Sequence, residues 1–483
     1  MLAAVLILPL LAALLVLLPI GHRGRWPALV TVLTNAILLA LALAISAHVL
    51  YAGAFHEWNR SLSIDAFGAL LLLLVTFLGF TTAIFSWGYI VERRVGATRT
   101  GKVRLYYALY HLFILSMVAV PLIAHVALVW IAVEMTTLMS AFLVAYEDTP
   151  ASLEAAWKYV VLTSMGAILG LLGVLILYWA TRVAGDVPFT WAGLVTGAPH
   201  MPKTLLWTGF LLILVGFGTK VGLVPLHTWL PDAHSQAPSP VCALLSGVET
   251  STALFVILRL FPVLQAAPLV ADPRPWFIAI GLVSVGAAAF LLLQIRDYKR
   301  MFAFSTVEHM GIIMVAVGLG GMPAHFAAMY QLTAHALTKS FCFFAAGTTL
   351  AATGTQEVGA VHGLIHRAPL AGTALLLGGL AIAGAPPFVV FISEFSIFRA
   401  GLADGQYLSI ALLALFVAVA FCALTFHINR IVFGRAEDSP VHAIPKPCFA
   451  ALVIAAIPML ILGLYLPGPL AALFRAAAAT LGH

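Results

Sequence analysis

The stretch GFGTKVGLVPLHTWLPDAHSQAPSPVCALLSG, residues Gly216–Gly247, places a single lysine beside a series of prolines in an otherwise apolar part of the chain. Lys220 precedes Pro225 by five residues, and three further prolines follow. A proline removes a backbone donor and clashes with the preceding turn, so a helix must break here. In a bilayer, a broken helix is tolerated only inside protein or beside water. The pattern predicts that Lys220 lines a polar path; the alternative is a lysine that reaches the membrane interface where a helix ends.

The composition indicates a membrane protein. Of the 483 residues, 63% are hydrophobic and 9% are charged, whereas soluble proteins carry about 25% charge. Crossing the hydrocarbon layer takes about 20 apolar residues, and fourteen segments qualify. They span residues 2–20, 26–51, 64–90, 105–124, 126–146, 155–181, 204–230, 238–261, 274–295, 300–319, 325–352, 369–402, 406–433 and 447–466. We predict an all-α polytopic membrane protein with about fourteen transmembrane helices.

Two of these segments contain helix breaks. Pro225 interrupts the seventh, and Pro386 and Pro387 interrupt the twelfth. Because the two segments are five apart, they cross the membrane in opposite directions, as in two inverted five-helix repeats. We expect an N-terminal three-helix segment, a first and a second half-channel repeat, and a C-terminal helix with its tail. These parts span residues 1–104, 105–261, 274–433 and 447–483.

The distribution of lysine and arginine predicts the orientation. With the N-terminus outside, inner loops receive fifteen of the 24 such residues, outer loops and ends receive seven, and two lie within the membrane. Positive charge favours the cytoplasmic side, so both termini are expected outside, in the inner (plasma) membrane of a bacterial or archaeal cell. Arg23 and Arg25 follow the first apolar segment rather than precede it, which predicts a retained span and not a signal peptide.

The sequence carries no pattern for a bound cofactor. Its four cysteines form no C-x-x-C pair, and each lies in or beside an apolar run: Cys242, Cys342, Cys422 and Cys448. This spacing suits neither zinc nor an iron–sulfur cluster. Gly-rich dinucleotide and P-loop motifs do not occur in the sequence. We therefore expect no cofactor in this chain.

Two motifs carry a family resemblance. Lys220 followed by PLHTWLPDAHSQAPSPV at residues 225–241 resembles the antiporter-like proton-channel subunits shared by respiratory complex I, Mrp-type cation/proton antiporters and membrane-bound hydrogenases. The run STVEHMG at residues 305–311 is similar to the F-type membrane subunit of hydrogenase-4 and formate hydrogenlyase complexes. The resemblance covers about residues 65–435 and implies a proton-translocating membrane subunit.

In the first repeat, the expected functional residues are a glutamate and a lysine. Glu134 lies in the middle of the fifth segment, and it is the natural opposite-charge partner of Lys220. The resemblance implies a glutamate and a lysine at these two places. A salt bridge that only orients helices is the alternative, although buried ion pairs stabilise proteins poorly.

In the second repeat, ionisable residues recur in the eleventh and twelfth segments. His335 and Lys339 are four residues apart, so they share a helix face. The resemblance aligns Lys339 with the family's central lysine of the eleventh segment, and Glu394 with the terminal ionisable residue of the twelfth. His335 is either a relay residue or a satisfied core histidine.

The adjacent pair Glu308 and His309 points in directions about 100° apart on a helix, so one side chain can face the axis and the other a neighbour. Either is a candidate for the relay. His227, Asp232 and His234 lie near the inner end of the broken seventh helix, where they either guide proton uptake or form capping and loop hydrogen bonds.

One position departs from the family pattern. Complex I relatives commonly carry a lysine or histidine where this chain has Ser251, and Glu249 is about 200° away on a regular helix. The relay between Lys220 and Lys339 is therefore expected to run through water, Glu249 or His309. Four other basic residues are interpreted as end-of-helix anchors: His111, His125, Arg259 and His427.

These observations favour a proton-translocating subunit of a redox-driven complex, of the hydrogenase-4 or complex I-like type. The resemblance implies other membrane subunits and a peripheral iron–sulfur redox arm as partners. A stand-alone or Mrp-like cation/proton antiporter subunit is the alternative function. A purely structural anchor is the third, and it predicts that the buried ionisable residues can be neutralised without loss.

Overall fold

The structure is a computed structural model that describes residues 1–20, 24–92, 100–267, 271–435 and 441–482. Several arginines that contribute to the predicted charge asymmetry lie outside the described residues: Arg23, Arg93, Arg94 and Arg99.

All fourteen predicted segments are helical. The first eight comprise α1 (Leu2–Leu17), α2 (Arg25–Ala52), α3 (Ala66–Ser86) with a π-helical turn (Trp87–Glu92), α4 (Thr100–Leu122), α5 (Val126–Val144), α6 (Pro150–Val183), a short α7 (Trp191–Gly197), α8 (Lys203–Val221), α9 (Trp229–Gln236), α10 (Ser239–Leu244), a second π-helical turn (Leu245–Glu249) and α11 (Thr250–Ala266). An antiparallel hairpin, β1 (Phe55–Glu57) and β2 (Leu62–Ile64), precedes α3 and pairs Phe55 with Ile64.

The remaining segments follow in the same way. They are α12 (Arg274–Leu292), α13 (Tyr298–Leu319), α14 (Gly321–Thr353), a short α15 (Leu364–Arg367), α16 (Pro369–Ile382), α17 (Val389–Ala403), α18 (Tyr407–Phe433) and α19 (Lys446–Leu464), followed by α20 (Gly468–Ala479) in the tail. Single 3₁₀ turns lie at Ala145–Glu147, Ala198–His200 and Val358–Ala360. In the described part of the chain, eleven helices are long and apolar enough to cross a membrane. The other three predicted segments are the 16-residue α1, the more polar α14 and the interrupted α16–α17.

Both predicted helix breaks are confirmed. α8 ends at Val221, the left-handed Gly222 (φ +84°) follows, and α9 starts only at Trp229. α16 ends at Ile382 and α17 starts at Val389. The breaks leave the last turn of α8 and the first turns of α17 as helix ends inside the bundle. The inverted symmetry of the two repeats stays a prediction.

The helices that carry the polar residues lie at the centre of the bundle. The apolar windows of α10–α11 and α13 are 100% and 94% buried, whereas those of α6 and α18 are 33% and 28% buried. α6 and α8 approach closely, because a Cβ on Gly216 would lie 2.4 Å from the backbone nitrogen of Gly170. This contact between small residues, common in membrane helices, holds the end of α8 against α6.

Candidate functional site

Lys220 lies in the last turn of α8, directly before the break, and is 4% exposed. Its Nζ donates to Glu249 Oε1 at 2.8 Å and to Thr137 Oγ1 at 2.5 Å. The expected pairing of Lys220 with Glu134 is therefore wrong in this structure. Glu249 is the ion-pair partner of Lys220 instead, and it approaches Lys220 from the buried side of the bundle.

A π-helical turn explains why Glu249 reaches Lys220. Glu249 is the last residue of the turn Leu245–Glu249, which joins α10 to α11. Bonds from i to i+5 make this turn wider than an α-helical one, so the residues that leave it point in new directions. The predicted angle of about 200° between Ser251 and Glu249 applies to a regular helix. Ser251 Oγ instead donates to the Gly247 carbonyl of its own helix at 3.2 Å.

The carboxylate of Glu249 is held through one oxygen. Besides Lys220, Oε1 accepts hydrogen bonds from Tyr159 OH at 2.7 Å, Thr136 Oγ1 at 3.0 Å and Ser140 Oγ at 3.3 Å. Among the described residues, the buried Oε2 has no partner. Sequence reasoning missed Thr137 and Tyr159, whose side chains are ordinary in a membrane helix.

Glu134 lies beside this pair without joining it. Its side chain is half-buried, and its Oε1 accepts a hydrogen bond from Ser164 Oγ of α6 at 3.0 Å. Glu134 and Lys220 line the same small cavity, together with Trp130 and Thr163. The space between them has room for about one water molecule.

The second buried lysine, Lys339 of α14, has a different environment. Its fully buried Nζ donates to the Phe302 carbonyl at 2.5 Å and to Ser305 Oγ at 2.5 Å, both on α13. Within the described ranges, no carboxylate lies within 4 Å of this nitrogen. Lys339 is therefore held by neutral acceptors.

His335 and His309 connect the π-helical turn Leu245–Glu249 to the end of α16. His335 Nε2 donates to the Ser246 carbonyl of the π-helical turn at 2.9 Å, which leaves its Nδ1 as an acceptor. The His309 and His335 rings lie 5.4 Å apart. His309 Nε2 donates to the carbonyl of Ile382, the last residue of α16, at 3.1 Å. Both histidines are fully buried and hydrogen-bonded across helices.

Gln331 extends the connection to the second helix break. Its Nε2 donates to His309 Nδ1 at 3.0 Å, and its Oε1 accepts from Ser393 Oγ at 2.5 Å. Ser393 is followed by Glu394, whose carboxylate lies against Gly384 in the break. Sequence reasoning missed Gln331, although a glutamine inside an apolar helix was a signal that could have identified it.

The polar axis, defined here as Lys220, Glu249, Ser246, His335, His309, Gln331, Ser393 and Glu394, thus runs from the first helix break to the second. Lys339 lies beside it, one helical turn from His335 on the same face. Glu308 is buried, and its Oε2 has no partner among the described residues.

The three residues considered for proton uptake have separate environments. Asp232 is 24% exposed and pairs with Arg300 at 2.7 Å and Lys158 at 3.5 Å. His234 is fully buried, and its Nδ1 donates to the Leu230 carbonyl of its own helix at 2.8 Å. His227 is half-buried in the break.

Lys299 is one of the fifteen basic residues predicted for the inner loops, and the structure places its side chain in the interior. Its side chain is 2% exposed, and Nζ donates to the carbonyls of Ser235 and Ala237 at 3.0 and 2.6 Å. It thereby satisfies carbonyl groups at the end of α9. No local pattern distinguishes it from the neighbouring Arg300.

Four residues are predicted to be end-of-helix anchors, and for His111 this prediction is wrong. It lies in the middle of α4 and is fully buried. Arg259 forms a two-pronged ion pair with Asp65, the N-cap of α3, at 2.5 Å through each nitrogen. His125 immediately precedes α5, and His427 Nε2 donates to the Leu292 carbonyl at 3.1 Å. Among the described residues, no group of three His, Cys, Asp or Glu side chains can hold a metal ion.

Comparison with known proteins identifies the family. A family model described as NADH:quinone oxidoreductase/Mrp antiporter, TM, matches residues 123–421. The chain belongs to this family. It is 39% identical over 412 residues to the hydrogenase-4 component F homolog of Methylacidiphilum infernorum, covering 84% of this chain and 85% of that protein. It is also 32% identical over 363 residues to hydrogenase-4 component B of Escherichia coli, of which it spans 51%.

Solved structures share the whole fold. A chain of the membrane-bound sulfane sulfur reductase, an archaeal respiratory membrane complex, superposes with a TM-score of 0.86 at 25% identity, covering 99% of this chain and 97% of that one. A chain of the Mrp complex from Dietzia superposes with a TM-score of 0.84 at 21% identity and the same coverage. The predicted family and the all-helical, multi-pass membrane fold are confirmed.

Proposed function

We propose that this chain is a proton-translocating membrane subunit of a redox-driven complex of the hydrogenase-4 type, and that protons move along the polar axis. The observation that carries this proposal is a run of buried polar groups between two helix breaks, several of them joined by hydrogen bonds across helices. Intramembrane polar groups are costly, and a run of them that joins two ionisable sites indicates a pathway rather than a means of holding helices together.

The first step takes place at the Lys220–Glu249 pair. When the ammonium of Lys220 swings across the small cavity toward Glu134, Glu249 loses its counter-ion and accepts a proton on its free Oε2. When Lys220 returns, the pair expels that proton toward His335. The energies are compatible, because a hydrogen bond to a charged group contributes about 1.5–3 kcal/mol and moving one charge across 100 mV takes about 2.3 kcal/mol.

The histidines carry the next steps. His335 Nδ1 is an open acceptor beside the His309 ring, and Gln331 orients His309 toward the second break. Glu394 is the terminal acceptor, while Lys339 and Glu308 form a lateral store of protons beside the axis. Asp232, His234 and His227 lead from the surface to the broken seventh helix.

The relatives support other membrane subunits as partners of this chain. Hydrogenase-4 components and chains of respiratory membrane complexes support neighbouring membrane subunits, and a redox-driven pump needs a peripheral iron–sulfur arm because this chain has no predicted redox centre. We place the chain in the inner (plasma) membrane of a bacterial or archaeal cell with both termini outside.

Cysteine labels at the exposed Asn59 and Asp404 should react from outside. A label at Thr98, which lies outside the described residues, should react from inside; the reverse pattern contradicts this orientation.

Redox-driven proton uptake in vesicles tests the function. We expect Lys220→Ala to abolish uptake at unchanged subunit content, and Lys220→Arg not to restore it because guanidinium does not release its proton. Lys102→Ala is the matched control, since Lys102 is exposed and its ion-pair partner among the described residues is Asp148 at the surface. Normal uptake in Lys220→Ala at wild-type subunit levels would contradict the proposal.

An Mrp-like cation/proton antiporter is the second candidate, because a chain of an Mrp complex shares the fold. The two functions differ in what copurifies. A redox-driven subunit is expected to copurify with iron-bearing subunits in mild detergent, whereas recovery of this chain without them, active in ion flux, favours the antiporter.

A further inference from the structure

A second buried polar cluster lies between α2, α3 and α4, outside the polar axis. Its centre is His111, which is fully buried and whose ring lies 3.0 Å from Thr31 Oγ1. The Thr31 hydroxyl donates to the Pro27 carbonyl at 2.7 Å, so Thr31 accepts from His111 Nε2–H. The His111 tautomer follows from this bond. Nδ1 is left as an acceptor, and it has no partner among the described residues.

Asn35 adds a second open acceptor. Its amide nitrogen donates to the Thr31 carbonyl at 2.8 Å, and its fully buried Oδ1 has no partner in the described part of the chain. Gly79 of α3 makes room for this oxygen, because a Cβ there would lie 2.7 Å from it. Tyr110 OH donates to the Gly79 carbonyl at 2.5 Å and closes the cluster from α4.

Two buried hydroxyl groups, on the faces of α3 and α4 that carry Gly79 and His111, also have no hydrogen-bond partner within the described ranges. Thr82 lies one turn from Gly79 on α3, and Tyr107 lies one turn from His111 on α4. Four unpartnered buried polar atoms in one three-helix region call for an occupant, because an unpartnered buried group costs about 1–3 kcal/mol. Two acceptors require a donor, and two hydroxyls can use a molecule that both donates and accepts. Water has this chemistry, and buried waters typically make 2–4 such bonds.

We propose that this cluster is a water-filled proton site, in which ordered water donates to both Asn35 Oδ1 and His111 Nδ1. An excess proton that reaches this water passes to His111 Nδ1 and leaves a neutral water behind. The polar side chains extend from this level toward the end of the bundle at which α4 begins, through Tyr107 and the 2.9 Å bond between Ser86 and Tyr106. On the other side, Ile114 closes the cluster against Gly79. The cluster thus lies at the middle of α4, with Ile114 on one side and the buried tyrosines on the other.

Among the described residues, the charges on α4 itself, Arg104 and Lys102, precede His111 by seven and nine residues. Arg259 of α11, which also packs against α4, is paired with Asp65. α1 and α3 contain no charged residue, and α2 contains none between Pro27 and Ala42. Glu134 of α5, which also packs against α4, is bonded to Ser164 of α6. The titratable side chains that share the faces of the cluster are Tyr107 and Tyr110.

Hydroxyl-radical labelling of the intact complex in detergent tests the water. Radicals formed from a trapped water modify side chains next to it, even where bulk solvent is absent. We expect Tyr107 and Tyr110 to be modified several-fold faster than Phe113, which is equally buried on the same helix. Tyr51, which is 90% exposed, is the positive control. Modification of both tyrosines as slow as that of Phe113 would overturn the proposal.

Two variants make the labelling specific. Gly79→Ala places a methyl group against Asn35 Oδ1, and Asn35→Leu removes that acceptor; each should reduce the labelling of Tyr110 several-fold. Gly101→Ala is the matched control on α4, since a Cβ there meets nothing within 4 Å. If Gly79→Ala fails to assemble, Asn35→Leu decides, and unchanged labelling in Asn35→Leu counts against a site at this acceptor.

The proton-holding role rests on the proposed function and has its own measurement. His111→Gln keeps a donor and an acceptor but cannot titrate, so redox-driven proton uptake should fall several-fold while the labelling of Tyr110 persists. Unchanged uptake in His111→Gln would leave water at the site and overturn its proton role. The labelling does not depend on transport, so a failed transport assay for Lys220→Ala and a failed hydration assay are distinguishable.

Discussion

The two buried lysines of the repeats have opposite electrostatic environments. The Lys220 ammonium lies 2.8 Å from the Glu249 carboxylate and beside Thr137. The Lys339 ammonium contacts a backbone carbonyl and the Ser305 hydroxyl, with no carboxylate within 4 Å in the described part of the chain. Both lysines are buried, so solvent does not compensate for this difference.

This difference indicates that Lys220 and Lys339 have different roles. A buried charge with a counter-ion is stable as a pair, whereas one held only by neutral acceptors bears most of its desolvation cost. Lys220 is therefore suited to switch between carboxylates, and Lys339 to release or receive a proton as the axis beside it changes charge. The two halves of the chain, each with one helix break, thus place one lysine in an ion pair and the other among neutral groups.

The largest expected effect comes from making the first site resemble the second. Glu249→Gln leaves Lys220 with neutral partners, so the switch has no carboxylate to leave and return to. We expect redox-driven proton uptake to fall at least about tenfold, because removing one member of a buried pair costs about 3–5 kcal/mol. Glu134→Gln is the comparison variant and should lose less, because Glu134 receives Lys220 only in the swung position and keeps its bond to Ser164. A greater loss in Glu134→Gln would show that Glu134 is the working partner of Lys220.

The second prediction compares the two lysines through stability. Lys220→Met leaves the Glu249 charge buried without its counter-ion, at a cost of about 3–5 kcal/mol. Lys339→Met frees only a carbonyl and a hydroxyl, at a cost of about 1–3 kcal/mol. Thermal unfolding of the purified complex should therefore show the larger shift for Lys220→Met. Equal shifts in the unfolding temperature would mean that the loss of Lys220 leaves no more uncompensated charge than the loss of Lys339.

The smallest expected effect concerns the link between the sites. Gln331→Leu removes the bridge from His309 to Ser393 and should slow proton uptake a few-fold without loss of assembly. Ser340→Ala is the control on the same helix, because in the described part of the chain that hydroxyl bonds to the Leu337 carbonyl of its own turn and to no other group. Wild-type rates in Gln331→Leu would place the connection elsewhere, with Lys339 and Glu308 as the remaining route.

The sequence by itself determined the helical membrane fold, the two breaks and most of the ionisable residues of the axis. These features are local: apolar length predicts a span, proline and glycine predict a break, and a charge in a span is conspicuous because it is costly. The predicted family also depended on a contiguous motif around Lys220, which is read without knowing any contact.

Only the tertiary structure decided which of these residues meet. Lys220 pairs with Glu249 instead of Glu134 because a π-helical turn changes the direction of the Glu249 side chain. No residue type predicts such a turn. Lys299 and His111 looked like a loop charge and a helix-end anchor, since burial depends on how helices pack and rotate against one another. Gln331 became a bridge for the same reason: its two hydrogen bonds join helices that are far apart in sequence.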